Sequence, residues 1–547
     1  MLDHIWGTLA DSAPVPDDGI TSSSSTLPTD DSGLLPSGPP LPTSAFWFCL
    51  FWLLPVVVYF LLDWLTQQRR RTFRGAPALP VVPTGPERGA AGGRAAPAEG
   101  PSVLAASIEH SLPHRNVKVI AGGLGKVMDV VAQHHPTEIT MVHPAVSGDG
   151  DDPRPDAVYG EPDGDEPPLH VVVDGRREEV AVRRYSGASS GPGLPQVQFL
   201  LLLHPLFLKR SRRCLYPNPM SRAEVLAFFS LWNQAVGALL VRLRPHIFHC
   251  PDFHTAVAPW YALPQHPDLR MLLVLHNAEY QGTISTDQIR GVKVDRIASI
   301  FNLSADKVQK HLVLDGRFNM LKAAVDFLLE HQGGVGACAV SDHYALEVRQ
   351  LYGLLWRLPT VQGLENPMLE DERVEWDDLH SRRAAAKATI QRQLGLREDP
   401  SAKLFVSLGR LVRQKGVDLL ADVAPWLLEK YPDAQLVIVG PVGDGFGHYA
   451  GHHLQGLAED ERFRGRVFVK CEFQKVGDDL RFAADFCLMP SRDEPFGYVD
   501  VEFAWCGALV VGAQAGGLGK VPGFYYVAQN RENLSRLRRE LRTRGGL

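Results

Sequence analysis

The chain has 547 residues, of which 45% are hydrophobic and 22% charged; 56 basic against 62 acidic side chains leave a net charge of -6. That length is roughly three to four domains' worth, and the composition excludes a mostly disordered chain and a polytopic membrane protein. The near-balanced charge gives no electrostatic reason to expect nucleic-acid binding. Seven scattered cysteines (Cys49, Cys214, Cys250, Cys338, Cys471, Cys487 and Cys506) form no C-x-x-C pair, so neither a zinc site nor a disulfide framework is signalled.

Residues 1–43 are acidic, rich in serine and proline, and free of lysine and arginine. They bury too little apolar surface to offset chain entropy and read as a disordered tail. The uncharged run Ala45–Leu62, inside a predicted membrane helix at 44–65, approaches the length a bilayer crossing needs and lacks a polar face. Arg69, Arg70, Arg71 and Arg74 follow it and no basic residue precedes it. The positive-inside rule therefore predicts an extracytosolic tail and a cytosolic remainder. Residues 66–107, rich in Gly, Ala and Pro from Gly75 on, read as a flexible linker.

Short apolar runs then alternate with helical stretches. VKVIA (117–121) leads into Gly122-Gly123-Leu124-Gly125; ITMVHP (139–144), LHVVV (169–173), VQFLLLL (197–203), IFHCPD (247–252) and MLLVLHN (271–277) follow. After a charged helical stretch at 377–396 the series restarts with LFVSLGR (404–410), QLVIVGP (435–441), RVFVK (466–470), FCLMP (486–490) and ALVVGA (508–513). Near-continuous apolar strands separated by helices predict two parallel, doubly wound sheets facing a cleft: an N-terminal domain at 108–380 and a C-terminal domain at 381–547. In such sheets ligands sit at the carboxyl ends of the strands.

The unusual polar residues fall at those ends. Arg410 and Lys415, five apart after a strand, suit a diphosphate clamp of guanidinium fork and ammonium point charge. Glu494, in Ser491-Arg492-Asp493-Glu494-Pro495-Phe496-Gly497, and Glu502 are acceptors for sugar or ribose hydroxyls, and Gly516-Gly517-Leu518 is a bare-backbone turn. Asp252 and His276 follow adjacent apolar strands and are candidate partners of sugar hydroxyls. Each has a plainer reading as well: solvated cations, a helix cap, a satisfied core histidine.

Taken in order, GGLG, HCPDFHTAVAP, HNAEYQG, FNMLKA, GRLVRQKGVDL and PSRDEPFG with a second GGLG resemble the family-five GT-B glycosyltransferases over 116–547. That family comprises glycogen and starch synthases and fungal cell-wall α-1,3-glucan synthases; LWNQA (231–235), VGPV (439–442) and VEFA (501–504) look like the fungal branch. The resemblance implies a GT-B fold behind one transmembrane helix, and a retaining hexosyltransferase that elongates an α-glucan. It implies UDP-glucose as donor, with ADP-glucose the second option, and neither metal nor cofactor. Arg410 and Lys415 would bind the diphosphate and stabilise its departure. Glu494 would lie near the donor sugar, Glu502 near the ribose, Asp252 on the acceptor side and His276 at the donor sugar. Backbone groups of Gly122, Gly123 and Leu124 would approach the diphosphate, and those of Gly516, Gly517 and Leu518 the glucose hydroxyls.

Ile120 stands where the family has lysine, with Lys118 two residues earlier as a substitute. Asn530–Arg544 is the candidate for the helix that crosses back onto the first domain in GT-B enzymes. The fungal enzymes carry an amylase-like domain before their membrane helix and many spans after the synthase, whereas one span implies an export or wall-synthesis partner. A starch- or glycogen-type α-1,4-glucan synthase and a catalytically inactive GT-B scaffold are the alternatives.

Overall fold

The computed structural model describes residues 101–148, 154–187, 195–212, 214–217, 222–284, 294–368, 376–474 and 477–527. The tail at 1–43, the membrane helix at 44–65, the linker up to residue 100 and the Asn530–Arg544 helix lie outside the described residues.

The N-terminal half contributes β1 (Val103–Ala106), β2 (His110–Leu112), β3 (Val117–Val119), β4 (Ile139–Pro144), β5 (Gly164–Val173), β6 (Arg176–Ser186) and β7 (Gln198–Leu203). It continues with β8 (Ile247–Pro251), β9 (Arg270–Leu275), β10 (Thr283–Ile284), β11 (Val313–Leu314), β12 (Arg317–Asn319), β13 (Ala337–Ala339) and β14 (Gln362–Gly363). Nine of these form one sheet in the order β14-β13-β9-β8-β1-β4-β7-β6-β5. Pairing is parallel from β14 to β7, and antiparallel where β6 and β5 extend the edge.

Three expectations are corrected here. The predicted linker ends too late, because β1 is buried at the centre of the sheet between β4 and β8. VKVIA is not a strand of that sheet: β3 alternates buried and exposed residues and pairs antiparallel with β2 in a hairpin of its own. LHVVV sits in β5, an antiparallel edge strand with one wet face, which allows alternation where a parallel strand would be apolar throughout.

The helix Arg222–Leu243 is long and apolar enough to cross a membrane, yet it is mostly buried inside this half. Its LWNQA polar groups serve the fold. Buried Asn233 accepts from the Val257 and Ala258 N–H groups (2.9 and 3.0 Å) and donates to the His254 carbonyl (3.0 Å), fixing the turn after β8. Gln234 makes a two-way bond with the Val172 backbone at 2.7 and 3.2 Å.

The C-terminal half has β15 (Lys403–Leu408), β16 (Ala434–Val439), β17 (Val467–Lys470), β18 (Phe486–Met489), β19 (Leu509–Ala513) and β20 (Gly523–Tyr526). All pair in parallel, in the order β17-β16-β15-β18-β19-β20. Helix Trp376–Gln393 packs on this half through Arg383, which donates to the carbonyls of Cys506 (2.6 Å) and Ala484 (2.8 Å). The predicted boundary at 380/381 therefore cuts a helix that belongs wholly to the second half. Both halves lie within one compact unit, Ala96–Leu547.

Candidate active site

Each sheet reverses its winding beside one strand, where diverging loops leave a crevice. The reversal lies at β1, between β4 and β8, in the first sheet, and at β15, between β16 and β18, in the second.

On the N-terminal side, Glu109 follows β1 and is buried. Its Oε2 accepts the N–H groups of Ala121, Gly122 and Gly125 at 2.9, 2.8 and 3.2 Å, and its Oε1 accepts the Tyr216 hydroxyl at 2.6 Å. The glycine turn that opens helix Gly123–His134 is thus shaped around a carboxylate. Gly122 spends its N–H on Glu109. Of the three positions expected at the diphosphate, Gly123 and Leu124 keep N–H groups with no partner among the described residues.

Asp252 directly follows β8, with a left-handed φ of 52°. Its Oδ1 accepts the N–H groups of His276 (2.8 Å) and Asn277 (3.0 Å), tying the ends of β8 and β9 together. Burial pushes its carboxyl up to about 7, against the pull of those N–H groups and with a push from Glu109. Burial, with His249 and His254 close by, pushes the His276 imidazole down to about 3, so it is neutral at physiological pH. Nε2 of His276, Nε2 of His249 and Nδ1 of His254 are buried without a hydrogen-bond partner among the described residues, an arrangement that a hydroxyl-rich ligand would satisfy.

On the C-terminal side, Arg410 leaves β15 exposed, with Gln414 3.4 Å from its guanidinium. Lys415 forms an ion pair with buried Glu494, whose Oε2 also accepts the Ser491 hydroxyl at 3.0 Å. The turn after Lys415 requires Gly416: its φ is +65°, and a Cβ there would run into the Pro490 carbonyl. Arg492 anchors the same loop by a two-pronged bond to Asp418, 2.7 Å on each arm. Gly517 donates to the Glu494 carbonyl (2.8 Å), Leu518 to Ala515 (3.1 Å), and Gly516 to the Glu347 carboxylate of the N-terminal half (2.6 Å). The N–H groups expected at the glucose hydroxyls are therefore all spent within the protein. Beneath this loop Lys520 bonds to the carbonyls of Phe496, Gly497 and Gly517 and to both oxygens of fully buried Asp500 (2.9 and 2.8 Å). One ammonium thereby joins the PSRDEPFG and GGLG loops.

Glu502 is held by two cations: Arg481 at 3.0 Å, and, from the opposite half, Lys126 at 2.7 Å. Lys118 does not reach such a place; it sits on the exposed side of β3. Ile120 lies beneath the turn, where a Cβ on Gly125 would meet its side chain at 2.8 Å. Glu109, Lys126, Tyr216, Glu347 and Lys520 were not legible in the sequence, because each acts on a backbone or side chain more than ten residues away. Phe473, just past β17, is 83% exposed, which composition cannot reveal.

The model of the starch synthase catalytic domain matches residues 115–358, and that of the group 1 glycosyl transferases matches 387–526. The catalytic domain of starch synthase IV from Arabidopsis thaliana, solved with ADP and acarbose, superposes with a TM-score of 0.58 at 22% identity, over 81% of this chain and 91% of that one. Fold and matched models define a GT-B glycosyltransferase. The cell wall alpha-1,3-glucan synthases mok12 and ags1 of Schizosaccharomyces pombe are 35% and 33% identical over 78% of this chain, which spans 18% of the first and 17% of the second. A glycogen synthase of Anaeromyxobacter sp. is 30% identical over 56% of this chain and 66% of its own length. The chain belongs to the starch and glycogen synthase-like glycosyltransferases, in company with the synthase segment of the fungal cell-wall α-1,3-glucan synthases.

Proposed function

We propose that the chain is a membrane-anchored, retaining glucosyltransferase that lengthens an α-glucan, α-1,3-linked, from UDP-glucose. The observation that carries this reading is the Arg410, Lys415 and Glu494 group at the reversal of the second sheet, the place where a doubly wound sheet takes its ligand. Arg410 and Lys415 bind the nucleotide diphosphate, together with the N–H groups of Gly123 and Leu124 at a helix N-terminus. Glu502 takes the ribose hydroxyls and the exposed ring of Phe473 stacks on the base. Glu494 aims the Lys415 ammonium, and His276 offers an uncharged ring nitrogen to a sugar hydroxyl. As the bond from the anomeric carbon to the diphosphate breaks, charge grows on the leaving oxygen; fixed cations there stabilise it without reorganisation. The acceptor hydroxyl bonds to that carbon from the same face and passes its proton to the departing phosphate oxygen, so the configuration is kept.

Asp252 stands on the acceptor side. The uncharged Ala45–Leu62 run with its following arginines supports a single-pass anchor that leaves the catalytic halves in the cytosol.

The test is incubation of membranes carrying the full chain with radiolabelled UDP-glucose or ADP-glucose, followed by linkage analysis. An α-1,3 polymer from UDP-glucose, abolished by Lys415→Ala, supports the reading. An α-1,4 polymer replaces it with a glycogen-type synthase, and no incorporation by folded protein replaces it with an inactive scaffold.

A further inference from the structure

Lys126 lies on the first turns of the helix that the glycine turn opens, in the N-terminal half; its partners lie in the other. Its ammonium is 2.7 Å from Glu502 Oε1 and 4.5 Å from the centre of the Tyr498 ring. The same ring stands where a Cβ on Gly123 would touch it, at 3.7 Å. Tyr498 and Glu502 are one helical turn apart on helix Tyr498–Trp505, so the lysine grips one face of that helix by charge and by ring. Arg481 holds the other Glu502 oxygen and belongs to the same half as Glu502, which leaves Lys126 as the cation that crosses between the halves here.

We propose that Lys126 is a closure latch: it ties the glycine turn to the helix bearing Glu502 and so sets the spacing between the two parts of the donor site. This rests on the reading of Glu502 and the glycine turn as donor-binding elements. A diphosphate on the Gly123 and Leu124 N–H groups and a ribose on Glu502 belong to one molecule, and that molecule is bound by both halves only while they stand a fixed distance apart. Lys126 supplies that constraint beside the turn, where the other ties between the halves, Gly516 N–H to Glu347 (2.6 Å) and the Ser341 hydroxyl to the Pro495 carbonyl (2.8 Å), do not reach.

The latch is a half-exposed ion pair, with 44% of the Lys126 side chain and 24% of the Glu502 side chain accessible, so salt weakens it. Hydrogen–deuterium exchange of the full chain in detergent reads it without any need for turnover. In Lys126→Met, amides of both 122–128 and 498–505 are expected to exchange on the order of five-fold faster, the scale of one such pair with its ring contact. Lys126→Arg keeps protection, and 0.5 M salt reproduces the methionine variant in the wild type. Donor KM rises by a similar factor in Lys126→Met, with kcat changed less. Unaltered exchange in 498–505, whether or not 122–128 loosens, overturns the latch, since a purely local helix effect predicts that pattern. If the protein proves inactive toward both nucleotide sugars, the exchange result still decides the latch, and the catalytic reading alone falls.

Discussion

Removing Lys520 tests whether one half-buried ammonium holds the two loops of the C-terminal site together. Asp500 has no solvent exposure, and 21% of the Lys520 side chain does. Burial pushes the Asp500 carboxyl up to about 6, while the Lys520 charge and hydrogen bond pull it down. In Lys520→Met that pull is gone, so the carboxyl rises further and a larger share of it is protonated at neutral pH. A carboxyl raised in the folded state adds stability that is present at low pH and lost as pH rises through the folded value. The variant, raised further, loses more on the way from pH 5 to pH 7. One unit is worth about 1.4 kcal/mol, so the gap between variant and wild type widens by about that much across this window. The carbonyls of Phe496, Gly497 and Gly517 also lose a donor, and each acceptor left dry costs roughly 1 kcal/mol or more. The sum is about 4 kcal/mol at pH 7 and about 2.5 kcal/mol at pH 5, within the range for a broken buried pair. Urea titration of the full chain, following the C-terminal half at both pH values, measures it. Lys520→Gln combined with Asp500→Ala removes both charges while the Gln amide keeps a donor for the carbonyls, and should recover most of the loss. A cost below about 1 kcal/mol, equal at pH 5 and pH 7, refutes the reasoning.

Lys415→Ala should lower kcat by on the order of 10²–10³ with little change in glucan binding, because its charge matters most as the diphosphate departs; a changed KM with unaltered kcat contradicts that role. Asp252, raised to about 7 by burial, ionises as pH climbs, so kcat/KM should rise through about pH 7, and Asp252→Asn should flatten that limb in a pH–rate profile. Glu109→Ala strips an acceptor from three N–H groups of the glycine turn and from Tyr216; thermal unfolding should reveal a loss of about 3 kcal/mol, with donor KM raised. Ile120→Lys places an ammonium beside Glu109 beneath the turn, so it should leave kcat unchanged, and a clear rate increase would show that the side chain reaches the donor phosphates.

How far the sequence reaches can be judged element by element. The five parallel strands predicted in the C-terminal half stand in the structure, because strands buried on both faces must be apolar along their whole length. Arg410, Lys415, Glu494, Asp252 and His276 stand out in the sequence because polar residues at the end of an apolar strand interrupt that pattern. VKVIA, in the β2–β3 hairpin, and LHVVV, in edge strand β5, depart from the parallel expectation, since a short apolar run has the same composition in a parallel or an antiparallel pair. β20 was not read as a strand at all: its residues are exposed or half-buried, and only its pairing with β19 makes it one.

The sequence by itself determined the alternation of strands and helices, the strand-end positions of the polar residues, and the motif order that the family shares. Only the tertiary structure decided which partners those residues have. Glu109 claims the Gly122 N–H, Glu347 claims the Gly516 N–H, Lys520 stitches two loops, and Lys126, not Lys118, meets Glu502. The reason is physical. Burial pattern is a local property with a period of two or 3.6 residues, whereas an ion pair between residues 376 positions apart depends on how two sheets come to face each other, which no local period encodes.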